Sequence, residues 1–132
     1  MTTPDLRPGP RLRVVLVEDD PALSARFAQL LRALDGAELA FTASTDADAS
    51  AWLDAHPHGW DLALIDVFLA SGHGFRVLRH CQHRAPGQKV VMMSNYDRDP
   101  MRQRALDAGA DAFFEKATQL EELIAFCVAH RR

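Results

Sequence analysis

The sequence predicts a single doubly wound α/β domain, a parallel sheet of five strands covered by helices on both faces. Three observations predict it. Short apolar or β-branched runs alternate with stretches of helical periodicity five times. The run that starts at Asp61 and ends at Asp66 is continuously apolar between its acids, as a strand buried on both faces must be. The chain of 132 residues has the length of one domain and can bury roughly two thirds of its unfolded surface.

Taken in order, Leu12 to Val17 is compact and β-branched, a first strand. Glu18, Asp19 and Asp20 follow, then Pro21. Proline suits the first helical position, where its missing N–H is not needed, and acids favour that end of the helix dipole. Leu23, Phe27, Leu30, Leu31 and Leu34 recur at helical spacing until Asp35-Gly36 stops the run. Glu38 to Ala43 is a weaker second strand. Thr45 is placed to cap a helix running to about Ala55, anchored by Trp52 and Leu53. His56 to Gly59 is a turn into the third strand.

A third helix is expected from about Gly74 to Arg84, with Phe75, Val77, Leu78 and Cys81 on its apolar side. Pro86-Gly87 turns the chain into a fourth strand, Lys89 to Met93, which ends at Ser94-Asn95-Tyr96. Asp99 as N-cap and Pro100 at the first turn start a fourth helix through Leu106, and Gly109 stops it. Ala112 to Glu115 is a short fifth strand ending on Lys116. Thr118 and Glu121 form a capping box for the last helix, with Leu123, Ile124, Cys127 and Val128 on or near its inner side.

Composition excludes several function classes. At 48% hydrophobic and 25% charged, this is an ordinary soluble globule. A net charge of −3 gives no electrostatic footprint for nucleic acid or anionic lipid, and no helix-turn-helix lies outside the alternation. No apolar stretch approaches the ~20 residues that span a bilayer. Residues 1–11, rich in proline and without an apolar h-region, read as a disordered leader before a domain of residues 12–132. Cys81 and Cys127 fall in helical patterns and read as reduced, packed thiols of a cytoplasmic protein. The histidines lack the cysteine partners or Glu-x-x-His spacing of a zinc site and read as exposed.

In a doubly wound sheet the parallel strands present their carboxyl ends to one edge, where such folds bind ligands. Those ends carry Glu18-Asp19, Asp66, Ser94 and Lys116. Unlike charges at ~4 Å and an effective dielectric near 20 attract by about 4 kcal/mol, and like charges repel as much. Three acids with one lysine therefore call for a further cation. An oxygen-only donor set suits Mg²⁺, which binds a couple of carboxylates and keeps its waters. Alone, the acidic triplet would be a helix cap, Lys116 a solvated lysine and Ser94 a turn residue. Their convergence on one edge makes a site.

These residues, in this order and at these spacings, resemble the receiver domain of two-component response regulators over about residues 12 to 130. The resemblance implies a flavodoxin-like sheet of order 2-1-3-4-5. It implies that Asp66 accepts a phosphoryl group from a phosphohistidine on a histidine kinase or phosphotransfer protein. Asp19 would bind Mg²⁺ directly, Glu18 through water, and the backbone carbonyl of Phe68 would add a ligand. Lys116 would pair with the phosphoryl oxygens, Ser94 would hydrogen-bond one of them, and Phe113 would be the switching aromatic. Drawing Ser94 inward would leave space for Phe113 and couple the site to the face of fourth helix, fifth strand and fifth helix, where a downstream protein or a second copy would dock. Such a chain is a signalling module rather than an enzyme in its own right, here expected to stand alone.

The chain departs from the family pattern in places. Ala117 stands where proline commonly follows the lysine, which predicts a trans peptide or a reshaped loop, since a cis bond without proline costs about 3–4 kcal/mol. Ala70 stands where a proline often follows the acceptor, predicting a looser loop. Phe68 and Tyr96 place bulk at the mouth of the site, where they would crowd attacking water. Two other readings compete: a receiver-like scaffold that signals without phosphorylation, and an electron carrier of the same architecture that binds FMN. The latter needs a phosphate-cradling first loop, and Glu18-Asp19-Asp20 would repel such a ligand.

Overall fold

The computed structural model describes residues 12–33, 36–95, 99–116 and 120–129. Five strands and five helices alternate: β1 (Leu12–Val17), α1 (Pro21–Ala33), β2 (Ala37–Ala43), α2 (Asp46–Ala55), β3 (Leu62–Asp66), α3 (Gly74–Arg79), β4 (Lys89–Ser94), α4 (Asp99–Asp107), β5 (Ala112–Glu115) and α5 (Leu120–Ala129). The strands form one sheet of order β2-β1-β3-β4-β5, every pair parallel. The expected order is observed.

Central strands are buried end to end because helices cover both faces. All five residues of β3 are buried, as are Val90 to Ser94 of β4. One face packs Val15, Ile65, Met92 and Phe113 against Leu53, Val77, Leu78 and Ala105 of α2, α3 and α4. The other packs Leu16, Leu64 and Met93 against Phe27 and Leu31 of α1 and Leu123 and Cys127 of α5. Cys81 and Cys127 are buried free thiols, and burial pushes each up to about 12, so they stay protonated.

Caps follow the sequence. Asp20 Oδ1 accepts from the amides of Ala22 (3.0 Å) and Leu23 (3.4 Å) at the start of α1, and Thr45 Oγ1 accepts from Asp48 N at 3.1 Å. Gly36, the residue before β2, has φ 87°, a conformation open to glycine.

Two expectations are corrected. The third helix ends at Arg79, not Arg84. The chain tightens there into i→i+3 turns, with His80 N on Val77 O and Cys81 N on Leu78 O, both at 2.9 Å, while the Arg84 side chain takes the Cys81 carbonyl. On α5, Val128 is exposed, and Phe126 turns inward to meet Phe114 edge-on at 5.9 Å. The leader, the Asp99 cap, the Thr118–Glu121 capping box, Tyr96, and the Lys116–Ala117 peptide lie outside what is described.

The edge opposite the candidate site is held by polar clamps. Asp61, just before β3, accepts from the Arg13 amide at 2.8 Å and from its guanidinium at 3.1 and 3.3 Å. Buried Gln88 bonds Pro57 O, Trp60 O and Ala85 N, tying the turns before β3 and β4 together.

Among the described residues, no helix is long and apolar enough to cross a membrane. None of the histidines belongs to a described cluster able to hold a metal; His80 instead bonds Asp54 at 2.9 Å, and His56 stacks on Trp52.

Candidate functional site

Where β1 ends, Glu18 N donates to Ala43 O of β2 at 2.9 Å, so the backbone is still pinned to the sheet as the acidic corner begins. The Glu18 side chain is buried, and its Oε2 accepts from Asp20 N at 3.0 Å. Asp66 closes β3 and is only 3% exposed. Its Oδ1 accepts from the Phe68 amide at 3.3 Å. Lys116, one residue past β5, is positioned by its own amide, which donates to Ser94 O at 2.8 Å. Its Nζ then reaches across the edge to Asp66 Oδ2 at 2.9 Å and Glu18 Oε1 at 2.8 Å.

The structure therefore brings Glu18, Asp19, Asp66 and Lys116 together. One carboxylate oxygen from each acid lies within 4.8 Å of the others. Ser94 ends β4 beside them, fully buried, with Glu115 as its register partner on β5. Phe113 is also buried, already part of the core beneath α4. The Phe68 side chain is 52% exposed at the mouth.

Three contributors left no signal, or an ambiguous one, in the sequence. Ala70 N donates to Asp19 Oδ2 at 2.6 Å, a backbone donor that the absence of proline makes available. Asp46, the first residue of α2, is buried and accepts from His73 N at 3.3 Å, bracing the loop after β3. Gly74 lies so close to Asp66 that a Cβ there would overlap the Asp66 carbonyl oxygen.

Burial and Glu18's negative charge push Asp66 up to about 6, against the Lys116 hydrogen bond and charge and the Phe68 amide. Burial pulls Lys116 down, but the hydrogen bonds and charges of Glu18 and Asp66 outweigh it, and its net shift is upward. A folded-state value above the ordinary one means that the metal-free native protein holds the Asp66 proton more tightly than the unfolded chain. That contribution is fully present below about pH 4 and is lost as pH rises through about 6. Asp66→Asn is expected to remove this slope. In urea unfolding with chelator, its advantage over wild type should grow by on the order of 3 kcal/mol between acid and neutral pH. A difference that does not change with pH would contradict the assignment.

The donor set fits a hard divalent cation: all oxygen, three carboxylates, and, among the described residues, one ammonium paired with them, which leaves negative charge in excess.

A model of the response regulator receiver domain matches residues 14–127. Among curated relatives, the transcriptional regulatory protein TcrA of Mycobacterium tuberculosis is 30% identical over 115 residues, covering 86% of this chain and 44% of that protein. Response regulator UvrY of Escherichia coli O157:H7 is 23% identical over 113 residues, covering 86% of this chain and 51% of that protein. The chain thus spans about half the length of these curated relatives. Among solved structures, the CheX-CheY-BeF3-Mg+2 complex from Borrelia burgdorferi aligns with TM-score 0.79 at 18% identity, covering 89% of this chain and 87% of that one. The Francisella response regulator 1452 receiver domain aligns at 0.78 and 18%, covering 91% and 96%.

Proposed function

The chain belongs to the response regulator receiver domain family, the signalling domain of two-component systems, and from that premise we propose that Asp66 accepts a phosphoryl group from a phosphohistidine with Mg²⁺ as cofactor. One observation carries this reading: Lys116 bonds both Asp66 and Glu18, and one carboxylate oxygen each of Glu18, Asp19 and Asp66 lie within 4.8 Å of one another. The solved Borrelia CheY complex contains BeF3 and Mg²⁺, which supports the same pairing here.

Glu18, Asp19, Asp66 and the Phe68 carbonyl would hold the ion. When bound, Mg²⁺ supplies positive charge against the oxygens of the transferring group. An Asp66 carboxylate oxygen attacks phosphorus, a P–O bond forms, and the P–N bond to the donor imidazole breaks with its electrons leaving on nitrogen. Lys116 keeps Asp66 ionised for that attack and then pairs with the phosphoryl oxygens. The Ser94 hydroxyl donates to one of those oxygens. Burial on the strand end keeps bulk water away from the acyl phosphate. The partner is a histidine kinase or phosphotransfer protein, and the output surface is α4, β5 and α5. Leu106 and Val128, large apolar side chains exposed on those helices, suit a downstream protein or a phosphorylation-dependent second copy. The acidic corner gives the FMN reading no phosphate cradle.

Magnesium is the test. Saturating Mg²⁺ should stabilise the protein by mass action, about 1.4 kcal/mol at tenfold excess over its dissociation constant, read as a rise in thermal midpoint. Asp19→Asn should lose that rise, and acetyl phosphate should transfer no phosphoryl group in chelator. A midpoint unmoved by Mg²⁺ in wild type would overturn the reading.

A further inference from the structure

We propose that Asp46 is a positioning residue for the Mg²⁺ site: from α2 it fixes the base of the loop after β3, and with it Phe68, whose carbonyl is assigned to the ion. Asp46 is the first residue of α2, whose opening turn is held by the Thr45 cap and whose buried Ala49 and Leu53 root it in the core. Its carboxylate is taken out of water, the residue being 8% exposed, and that is costly without partners. Arg76 offers little, since its Nε stands 3.8 Å away on a side chain that is 66% exposed. The loop backbone offers more. His73 N donates to Asp46 Oδ2 at 3.3 Å, and the His73 side chain makes no cap bond of its own at the start of α3. Gly72 has φ 83°, and a Cβ there would overlap the Asp46 carboxylate, so acid and glycine are fitted to each other.

His73 is also the bridge partner of Phe68, antiparallel across the loop, and Gly74 N donates to Val67 O at 2.8 Å. The loop is thus closed at its base between Phe68 and His73. Two acids from other elements hold it, Asp19 at the Ala70 amide and Asp46 at the His73 amide. Asp19 is itself assigned to the ion. Asp46 is not among the clustered acids Glu18, Asp19 and Asp66, so it holds the loop without being a ligand. Losing its carboxylate would free the His73 end of the bridge and leave Phe68 loosely placed beside Asp66. Ion affinity would then fall although all three clustered carboxylates remain. This rests on the Phe68 carbonyl belonging to the Mg²⁺ site.

The test is Mg²⁺ binding by calorimetry on the whole chain, with amide exchange in chelator as a second arm. Asp46→Ala should raise the Mg²⁺ dissociation constant about tenfold, the loss expected for one hydrogen bond to a charged group. Exchange of the His73 and Gly74 amides should quicken by a similar factor while β1 and β4 are unchanged, which a general loss of folding would not produce. Asp46→Asn, which keeps an oxygen for the His73 amide, should stay within about threefold of wild type in both arms. Gly72→Ala displaces the carboxylate from the loop side. It should weaken Mg²⁺ binding in wild type but add little to Asp46→Ala, because the two changes break one contact. Unchanged loop exchange in Asp46→Ala would overturn the brace. Faster exchange with an unchanged Mg²⁺ constant would overturn the positioning role, and so would effects of Asp46→Ala and Gly72→Ala that simply add. A wild type that binds no Mg²⁺ would overturn the metal reading and this role with it, whereas an unchanged constant beside a wild type that does bind overturns the role alone.

Discussion

Lys116→Met is expected to destabilise the metal-free protein by about 3–5 kcal/mol at pH 8, the cost of leaving buried charges without their partner. The Lys116 side chain is 8% exposed, and it lies between Glu18 and Asp66 side chains that are 0% and 4% exposed. Methionine keeps most of the stem's packing, so the loss reports the charge. Removing the ammonium also removes two influences that hold Asp66 down, so its pKa should climb further above about 6. The variant's deficit should therefore shrink as pH falls toward 5, because a protonated carboxyl no longer repels its neighbour. It should shrink again when Mg²⁺ is added at pH 8. Urea unfolding at both pH values, with and without Mg²⁺, measures all of this. A deficit under 1 kcal/mol, or one equal at both pH values, would contradict the electrostatic account.

Gly74→Ala should be nearly as severe, for a steric reason. The added methyl would overlap the Asp66 carbonyl oxygen and stand 2.8 Å from Ile65 Cγ2 and 2.9 Å from Met92 Cε. The side-chain atoms can yield, but the carbonyl belongs to a strand hydrogen-bonded on both sides, and Gly74 N is itself tied to Val67 O at 2.8 Å. Overpacking of this kind costs about 3 kcal/mol, which for a domain of this size lowers the thermal midpoint by roughly 10 °C. Because the displaced group is the backbone of Asp66, phosphoryl uptake from acetyl phosphate should fall with it. A midpoint within a degree or two of wild type would show that the strand end has slack.

The fold was legible because its signals are local and agree with one another. The buried run at Leu62–Asp66, Pro21 behind three acids, and Thr45 ahead of Asp48 each left a pattern that the structure repeats. The end of α3 was not legible. Helical spacing continues through Cys81, but the chain closes into tighter turns once Arg84 takes the Cys81 carbonyl. Of the site, the charged side chains could be read from the strand ends alone. The supports could not: the Ala70 amide on Asp19, the Asp46 brace and the closeness of Gly74 to Asp66 depend on backbone positions that no residue type encodes.

The most direct measurement is intact mass after acetyl phosphate treatment with Mg²⁺, on wild type and Asp66→Asn side by side. Wild type should gain the mass of one phosphoryl group, located on the peptide that contains Asp66, and the variant should gain none. Equal uptake by both proteins, or no uptake by folded wild type with Mg²⁺ bound, would contradict the role given to Asp66.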